Sequence, residues 1–388
     1  MIPSVTVAAH DVGTPGGMER ALFELCTGLL ERGHRVTVIA RRCELPAHPS
    51  LRWIRVRVPR RPFSLAYPAF FVVGSLAVRR HRDGLLHTMG AVVGNRADLS
   101  TVQFCHHGYR AASGTPQTSR PSHLHRMNAA ASAWMSRVAE RFCFRPGRTR
   151  RLVTVSSGVA QELERFFPRR HDEVVVIPNG VDRAQFTPDA QARTMARNRL
   201  GLAPDVLVAL FVGGDWDRKG LRFAIEGVAG ADAWHLLVVG RGDEPRHRAL
   251  AGRCGAGDRV HFVGGTPEPA RYYASADAFV LPSAYEAFPL VGLEAAAAGL
   301  PLIAAHVSGA EELIEEERNG WLVERDATAI TERLRTLGAD PALRTAMGRA
   351  ARHSSARYTW DRIVGAYAEL YETLADPELP VMRQPSSL

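Results

Sequence analysis

The chain has 388 residues, enough for two domains of ordinary size, and its 46% hydrophobic and 23% charged residues fit a soluble globular protein. Its five cysteines (Cys26, Cys43, Cys105, Cys143, Cys254) show no CxxC and no paired spacing, which argues against a disulfide framework and a zinc site. The net charge of +9 is uneven: residues 1–182 hold 26 Arg against 13 Asp and Glu, and the remainder holds 23 basic against 27 acidic residues. A basic first half suits an anionic partner, such as a membrane surface, a phosphorylated acceptor or nucleic acid; an arginine-rich solvated surface is the alternative reading. No nucleic-acid-binding motif accompanies the charge, so no nucleic-acid partner is expected.

The N-terminal run Met-Ile-Pro-Ser-Val-Thr-Val-Ala-Ala-His lacks a basic leader region. It reads as a strand over Val5–Ala9 and places the protein in the cytoplasm. The loop 11–17 follows, then an amphipathic helix over Met18–Arg32, closed by Gly33, and a strand over Arg35–Ala40. Further strands are expected at Leu51–Val58, Leu85–Thr88, Thr101–Cys105, Leu152–Val155 and Val174–Ile177. Beyond a polar stretch near 183–205, strands are expected at Leu207–Val212, His235–Val239, Val260–Val263, Ala278–Leu281 and Leu302–Ala304, with helices between them. Strands alternating with helices over short connections imply parallel βαβ units. The expected class is α/β, with two Rossmann-like domains facing each other across a cleft and ligands held beyond the carboxyl ends of the strands.

The uncharged segment Phe63–Val78 lies between Arg60-Arg61 and Arg79-Arg80. It is too short to span a bilayer and contains Pro68, so a buried helix is expected, with an arginine-flanked membrane-surface contact as the alternative. An amphipathic helix near Tyr358–Leu374 ends the ordered chain, and the proline-containing tail 375–388 is expected to be disordered.

The chemistry concentrates in two turns. The run Phe211-Val-Gly-Gly-Asp-Trp-Asp-Arg-Lys-Gly220 follows a buried strand and opens a helix. Its glycines admit a ligand close to the backbone, and Arg218 and Lys219 place two cations beside it, which suits a diphosphate; a solvated Arg-Lys pair is the bland alternative. The order GxxxxGK[ST] is absent, so this is no Walker A loop. Lys219 is the one lysine in the chain; the other 48 basic residues are Arg. In the second turn, Glu286 sits beside the N-terminus of a helix that starts near Pro289 and ends at Gly299, and Glu294 lies about one turn inside it. The orphan N–H groups and partial positive charge of such a terminus suit a phosphate or sugar hydroxyl, and two carboxylates there read as hydroxyl binders.

Weaker candidates surround these. Gly16-Gly17 precedes the first helix and reads as either a close backbone approach to a diphosphate or an ordinary turn. Gly240-Arg-Gly242 borders either a nucleotide base or nothing more than a turn. His106-His107 is expected to end the strand Thr101–Cys105, where a histidine can position an acceptor or handle a proton, unless the two are surface residues. Adjacent histidines with no acidic or cysteine partner at zinc spacing argue against a metal. His123 and His125 have no supporting context and read as surface residues.

Taken in order, these motifs resemble the retaining GT-B glycosyltransferases of the GT4 family over nearly the whole chain. The resemblance rests on Gly16-Gly-Met-Glu-Arg20, Arg32-Gly-His-Arg-Val-Thr-Val38, Val176-Ile-Pro-Asn-Gly-Val-Asp182, Arg218-Lys-Gly220, Leu237-Val-Val-Gly240, Val260-His-Phe-Val-Gly264 and Asn319-Gly-Trp-Leu-Val323. Its most specific element is E-x7-E, Glu286 to Glu294, followed by Ala-Ala-Ala-Ala-Gly-Leu-Pro. The resemblance implies an acceptor-side domain over 1–182, a nucleotide-sugar-binding domain over 183–356 and a helix over 357–374 that packs back on the first domain. It implies that Glu294 holds the ribose hydroxyls, that Glu286 contacts the donor sugar, and that the backbone at Phe288, Pro289 and Leu290 supports sugar and phosphates. By the same resemblance Arg218 and Lys219 would stabilise the leaving diphosphate, and His107 would face the sugar. Gly16, Gly17, Gly240 and Val263 complete the donor site, and His106 and Arg110 are the acceptor-side candidates.

No metal or other cofactor is implied, since the cations and the helix terminus take a metal's place. A UDP- or GDP-linked sugar is the expected donor. The expected hydroxyl acceptor is a cell-envelope glycan or glycolipid or a secondary metabolite, and the basic first half leaves open an anionic or membrane-associated molecule met at the inner face of the membrane. The sequence departs from the commoner pattern at Gly213-Gly214, where many relatives carry Gly-Arg, which makes the role of Lys219 firmer than that of Arg218. Retention in this family is attributed to same-face attack with the leaving phosphate as base, so Glu286 is not read as a nucleophile. A GT-B-type nucleotide-sugar epimerase and a non-catalytic sugar-nucleotide-binding protein are the rival readings.

Overall fold

The computed structural model describes residues 2–14, 16–113, 123–168 and 173–376. The side chains of His123 and His125 and the tail from 377 onward lie outside the described residues. The chain divides into two compact units, one built from residues 1–180 and 360–388, the other from 181–359.

In the first unit seven parallel strands form one sheet. Their chain order is β1 (Val5–Ala8), β3 (Val36–Ala40), β5 (Leu51–Arg55), β6 (Leu85–Met89), β7 (Ala97–Val102), β8 (Thr149–Thr154) and β9 (Val174–Val176). Their order in space is β5-β3-β1-β6-β7-β8-β9, with a separate two-stranded ladder of β2 (Asp11–Val12) and β4 (Arg42–Cys43). The strand order reverses between β1 and β6, the point where a doubly wound sheet opens a crevice at its carboxyl edge. Helices α1 (Gly17–Glu31), α2 (Phe63–His81), α3 (His106–Ser113), α4 (His123–Cys143) and α5 (Ser157–Phe166) connect the strands. β1 and β3 are buried at every position, as parallel strands covered on both faces must be, which is why they read as unbroken apolar runs.

The second unit repeats the plan with β10 (Leu207–Val212), β11 (Trp234–Val239), β12 (Val260–Gly264), β13 (Ala278–Leu281), β14 (Leu302–Ala305) and β15 (Gly320–Val323). They lie in the order β12-β11-β10-β13-β14-β15, all parallel, and the order reverses between β10 and β13. Its helices are α6 (Ala190–Arg199), α7 (Trp216–Lys219), α8 (Leu221–Ala229), α9 (Glu244–Arg253), α10 (Ala270–Ser275), α11 (Leu290–Ala297), α12 (Ala310–Leu313), α13 (Ala327–Ala339) and α14 (Pro341–Ser354). The last helix, α15 (Trp360–Ala375), returns to the first unit, where Ile363, Val364, Tyr367 and Tyr371 join a core shared with Leu22, Leu25 and Leu29 of α1. A buried chain of hydrogen bonds locks it there: Tyr371 Oη to His87 Nδ1 (2.7 Å), His87 Nε2 to Thr101 Oγ1 (2.8 Å) and Thr101 Oγ1 to Tyr367 Oη (2.9 Å).

Two sequence expectations fail here. The strand expected at Thr101–Cys105 lies at Ala97–Val102 instead, and His106-His107 opens α3 rather than ending a strand. The cause is remote in sequence: the Glu140 carboxylate of α4 accepts the backbone N–H groups of His106 (2.7 Å) and His107 (3.3 Å), satisfying the orphan donors at the start of α3. The segment Phe63–Val78 forms a helix that is not a buried one. Ala66, Tyr67, Phe70, Gly74 and Val78 face the core, while Leu65, Val72 and Leu76 are 62%, 59% and 48% exposed.

Candidate active site

In the second unit the two turns singled out from sequence follow β10 and β13, the strands that flank the reversal point. Gly213 follows β10 directly, with φ 139°, and a Cβ there would come within 2.6 Å of the Lys219 side-chain carbons. Glycine therefore lets the Lys219 stem lie across the strand end, and the side chain is nearly buried. Trp216 anchors the same turn by donating from Nε1 to the Gly213 carbonyl (2.9 Å).

Three donors converge on one oxygen of Glu286. Lys219 Nζ lies 2.8 Å from Oε1, Arg218 Nη1 3.1 Å, and Ser283 Oγ donates to it at 2.9 Å. Arg218 also donates to the Tyr285 carbonyl (2.6 Å) and pairs through Nε with Asp215 Oδ2 (2.9 Å). Burial alone would lift the Glu286 carboxyl; the charges of Lys219 and Arg218 outweigh it and hold the group below the usual carboxylate range. Burial also disfavours the Arg218 charge, but Glu286 and Asp215 raise its pKa. The site therefore carries an ionised Glu286 beside two fixed cations. Neither cation is the freely solvated residue of the bland alternative.

Helix α11 begins at Leu290, shortly after Glu286, with Pro289 as its N-cap and no side-chain cap. Phe288, Pro289 and Leu290 are all buried at this entry. Glu294 lies one turn inside α11 and is 3% exposed; Tyr273 Oη of α10 donates to its Oε2 at 2.5 Å. Gly240 follows β11 directly and donates its N–H to the Gly264 carbonyl (2.8 Å), beside half-buried Val263 on β12.

The first unit has its own crevice at the reversal between β1 and β6, a cavity of about 240 Å³. Its walls include Leu22, Phe63, Tyr67, Met89 and Phe144, and His106 also borders it. Four buried polar atoms of its lining make no hydrogen bond among the described residues: His10 Nδ1 and Nε2, Asp11 Oδ1 and Ser136 Oγ. Burial first, and then Arg41, push the His10 pKa down to about 4, against the opposing effect of Asp11. His10 is therefore neutral near pH 7. Gly16, at φ 94°, caps α1 without a side-chain bond, and Gly17 is the first residue of that helix. His107 is nearly buried, with Nδ1 2.7 Å from Glu140 Oε2 and its ring packed against Phe166 and Phe167. Arg110 lies with His106 and Arg137 in a neighbouring hollow.

Residues 15–185 match the model of Glycosyltransferase Family 4, and residues 192–354 match that of the Glycosyl transferases group 1. The chain thus carries a Glycosyltransferase Family 4 domain followed by a Glycosyl transferases group 1 domain, in a GT-B fold. A D-inositol 3-phosphate glycosyltransferase of Xylanimonas cellulosilytica is 36% identical over 233 residues, covering 57% of this chain and 56% of the relative. The chain spans about half the length of the curated relatives it matches. Among solved structures, WaaG, a glycosyltransferase involved in lipopolysaccharide biosynthesis, superposes with a TM-score of 0.80 at 21% identity, over 95% of this chain and 99% of that one. Anabaena HepE, solved with UDP and glucose, gives 0.73 at 18% identity, over 96% and 100%. At these identities the likeness is one of fold.

Sequence alone does not single out several residues of this site. Ser283, Tyr273 and Glu140 each act on a predicted residue from elsewhere in the fold, and His10 is recognisable in sequence only as a histidine following the first strand. Arg325 is a fifth. Its Nε donates to the Pro282 carbonyl (3.0 Å) and its Nη2 to the Asp217 carbonyl (3.0 Å), tying the turn after β10 to the turn after β13. Arg325→Ala is expected to lower turnover roughly 10- to 100-fold through misplacement of Arg218 and Lys219. Steady-state kinetics should show a fall in kcat larger than any rise in KM, with partial rescue by Arg325→Lys. Unchanged kcat would remove Arg325 from the positioning of this site.

Proposed function

We propose that the protein transfers a sugar from a nucleotide-diphosphate sugar, UDP- or GDP-linked, to a hydroxyl acceptor with retention at the anomeric carbon and without a metal. The observation that carries this reading is the convergence of Lys219 and Arg218 on Glu286 at the strand-order reversal of the second sheet. Two fixed cations there can take up charge on a leaving diphosphate, the part a metal plays elsewhere. Glu286, held ionised, accepts from donor-sugar hydroxyls, and Glu294 accepts from the ribose. The presence of UDP and glucose in HepE supports a nucleotide-sugar donor. In this reading the leaving phosphate takes the acceptor proton as the acceptor oxygen attacks on the face the phosphate leaves.

The acceptor is assigned to the apolar cavity of the first unit. Neutral His10 offers an imidazole nitrogen as a hydrogen-bond acceptor for an incoming hydroxyl, and Asp11 Oδ1 offers a second acceptor. An anionic or membrane-associated acceptor agrees with the basic charge of residues 1–182, with Arg110 beside His106, and with a relative named for D-inositol 3-phosphate. Such a substrate set is compatible with work at the inner face of a membrane.

Glu294→Ala tests the donor half. Losing a charge-assisted hydrogen bond should weaken nucleotide binding about 10- to 100-fold while the fold persists. Calorimetric titration with UDP and GDP reads the affinity, and circular dichroism checks the fold. Unchanged affinity for the nucleotide that binds the parent protein would refute the ribose assignment.

A further inference from the structure

Helices α2 and α4 pack side by side: the Ser64 N–H donates to Asn128 Oδ1 (3.4 Å), and the Phe71 and Phe142 rings lie 6.3 Å apart. Each buries one stripe and leaves an apolar one outside. On α2 the outer stripe runs through Leu65, Val72 and Leu76, with Val73 beside it. On α4 it runs through Met127 (67% exposed), Trp134 (60%) and Val138. The spacing of three, four and seven residues places each set on one helical face. With Phe63 at the start of α2, eight of the large exposed hydrophobic side chains among the described residues belong to two adjacent helices, which is the distribution of a contact surface rather than of scattered exposure.

Among the described residues, the exposed charges carried on these two helices and just before them have one sign. Exposed Arg60, Arg61 and Arg126 stand at the N-terminal ends of the two helices, and exposed Arg79, Arg80 and Arg141 at the C-terminal ends. Neither helix has an exposed acidic residue: α2 has none, and the one acid of α4, Glu140, is buried against His107. Among the described residues, the structure shows no hydrogen bond or ion pair for the six arginine side chains. A second copy of the chain placed face to face would bring arginine against arginine. An anionic lipid surface supplies the complementary charge and an apolar interior together.

We propose that the outer faces of α2 and α4 dock the first unit onto an anionic phospholipid surface, with Leu65, Val72, Leu76 and Trp134 entering the interface and the arginines meeting headgroup phosphates. Among the described residues no helix is long and apolar enough to cross a membrane, so this is a contact lying in the plane of the surface. Phe63, the first residue of α2, also lines the cavity assigned to the acceptor. Docking by α2 would therefore bring that cavity close to the lipid headgroups.

The test is co-sedimentation of the full chain with vesicles of phosphatidylcholine alone and with about one-third phosphatidylglycerol, at low and high salt. Binding is expected only to the anionic vesicles, weakened by salt, with a blue shift of tryptophan emission that Trp134→Phe reduces. The triple variant Leu65→Ser, Val72→Ser, Leu76→Ser should lower partition at least about tenfold, and the pair Arg79→Ser, Arg80→Ser about fivefold per arginine. Thermal melts and nucleotide titration of the variants report whether they fold and whether the donor half is intact. These binding readouts need no turnover, so failure of the docking face and failure of the transferase reading are separable. Absence of anionic-vesicle binding, or binding insensitive to the triple variant, would overturn the proposal. So would a dimer in sedimentation velocity that the triple variant dissociates, since a second copy would then cover the face.

Discussion

Lys219→Ala is expected to lower kcat by about 10²- to 10³-fold, ~2.7–4 kcal/mol of transition-state stabilisation, the range found when a preorganised donor to developing negative charge is removed. Lys219 Nζ is held 2.8 Å from Glu286 Oε1 with its stem laid across Gly213, so the ammonium is fixed before any charge develops and needs little reorganisation. The substitution has a second effect. Glu286 would keep Arg218 and Ser283 but lose one of the two charges that offset its burial, and its pKa should rise. In the parent protein that carboxyl lies below its ordinary value. Its contribution to stability is thus present above the unfolded-state pKa and fades as pH falls through the lower folded-state value. The measurement is donor hydrolysis or transfer across pH 4–8, roughly the span over which carboxylates and histidines titrate, with a thermal melt as control. Near-parent turnover by a folded Lys219→Ala protein would remove Lys219 from the chemistry.

The site was legible in sequence where its parts are local. Glu286 and Glu294 share one loop and helix, and Arg218 and Lys219 share one turn, so composition and spacing expose them. The buried parallel strands were legible for a similar reason: Leu207–Val212 and Ala278–Leu281 are unbroken apolar runs with little freedom in their limits. What sequence did not expose depends on side chains brought together by packing. Arg325 reaches the carbonyls of Asp217 and Pro282, and Tyr273 reaches Glu294. The start of α3 is misread from sequence because its capping carboxylate, Glu140, arrives from α4. The outer face of α2 was hidden for another reason. Both faces of that helix are apolar, so periodicity cannot distinguish the one that meets the core from the one that does not.

The largest effect on stability is expected at the other end of the second sheet. Arg197 of α6 is 3% exposed in its side chain and pairs through Nη2 with Asp277 Oδ2 at 2.7 Å. It also donates to the carbonyls of Ser275 (3.0 Å), Ala203 (3.1 Å), Pro204 (3.0 Å) and Val206 (2.8 Å). Asp277 accepts from Arg193 Nη2 (2.6 Å) and from the Val208 N–H (2.8 Å), so one carboxylate joins α6 to the amino ends of β10 and β13. Burial lowers the Arg197 pKa, and Asp277 is the main charge opposing that shift. Removing the partner of a buried charge costs about 3–5 kcal/mol, because the remaining ion stays desolvated. Asp277→Ala should therefore lower Tm by roughly 6–20 °C, at about 2–4 °C per kcal/mol for a unit of this size. Nucleotide affinity of the folded protein should hardly change, because Glu286, Lys219 and Glu294 lie toward the carboxyl ends of the strands. Urea unfolding monitored by circular dichroism measures the loss. A cost below about 1 kcal/mol would mean that the four carbonyls suffice for the guanidinium, and Asp277 would then be a minor contributor to this junction.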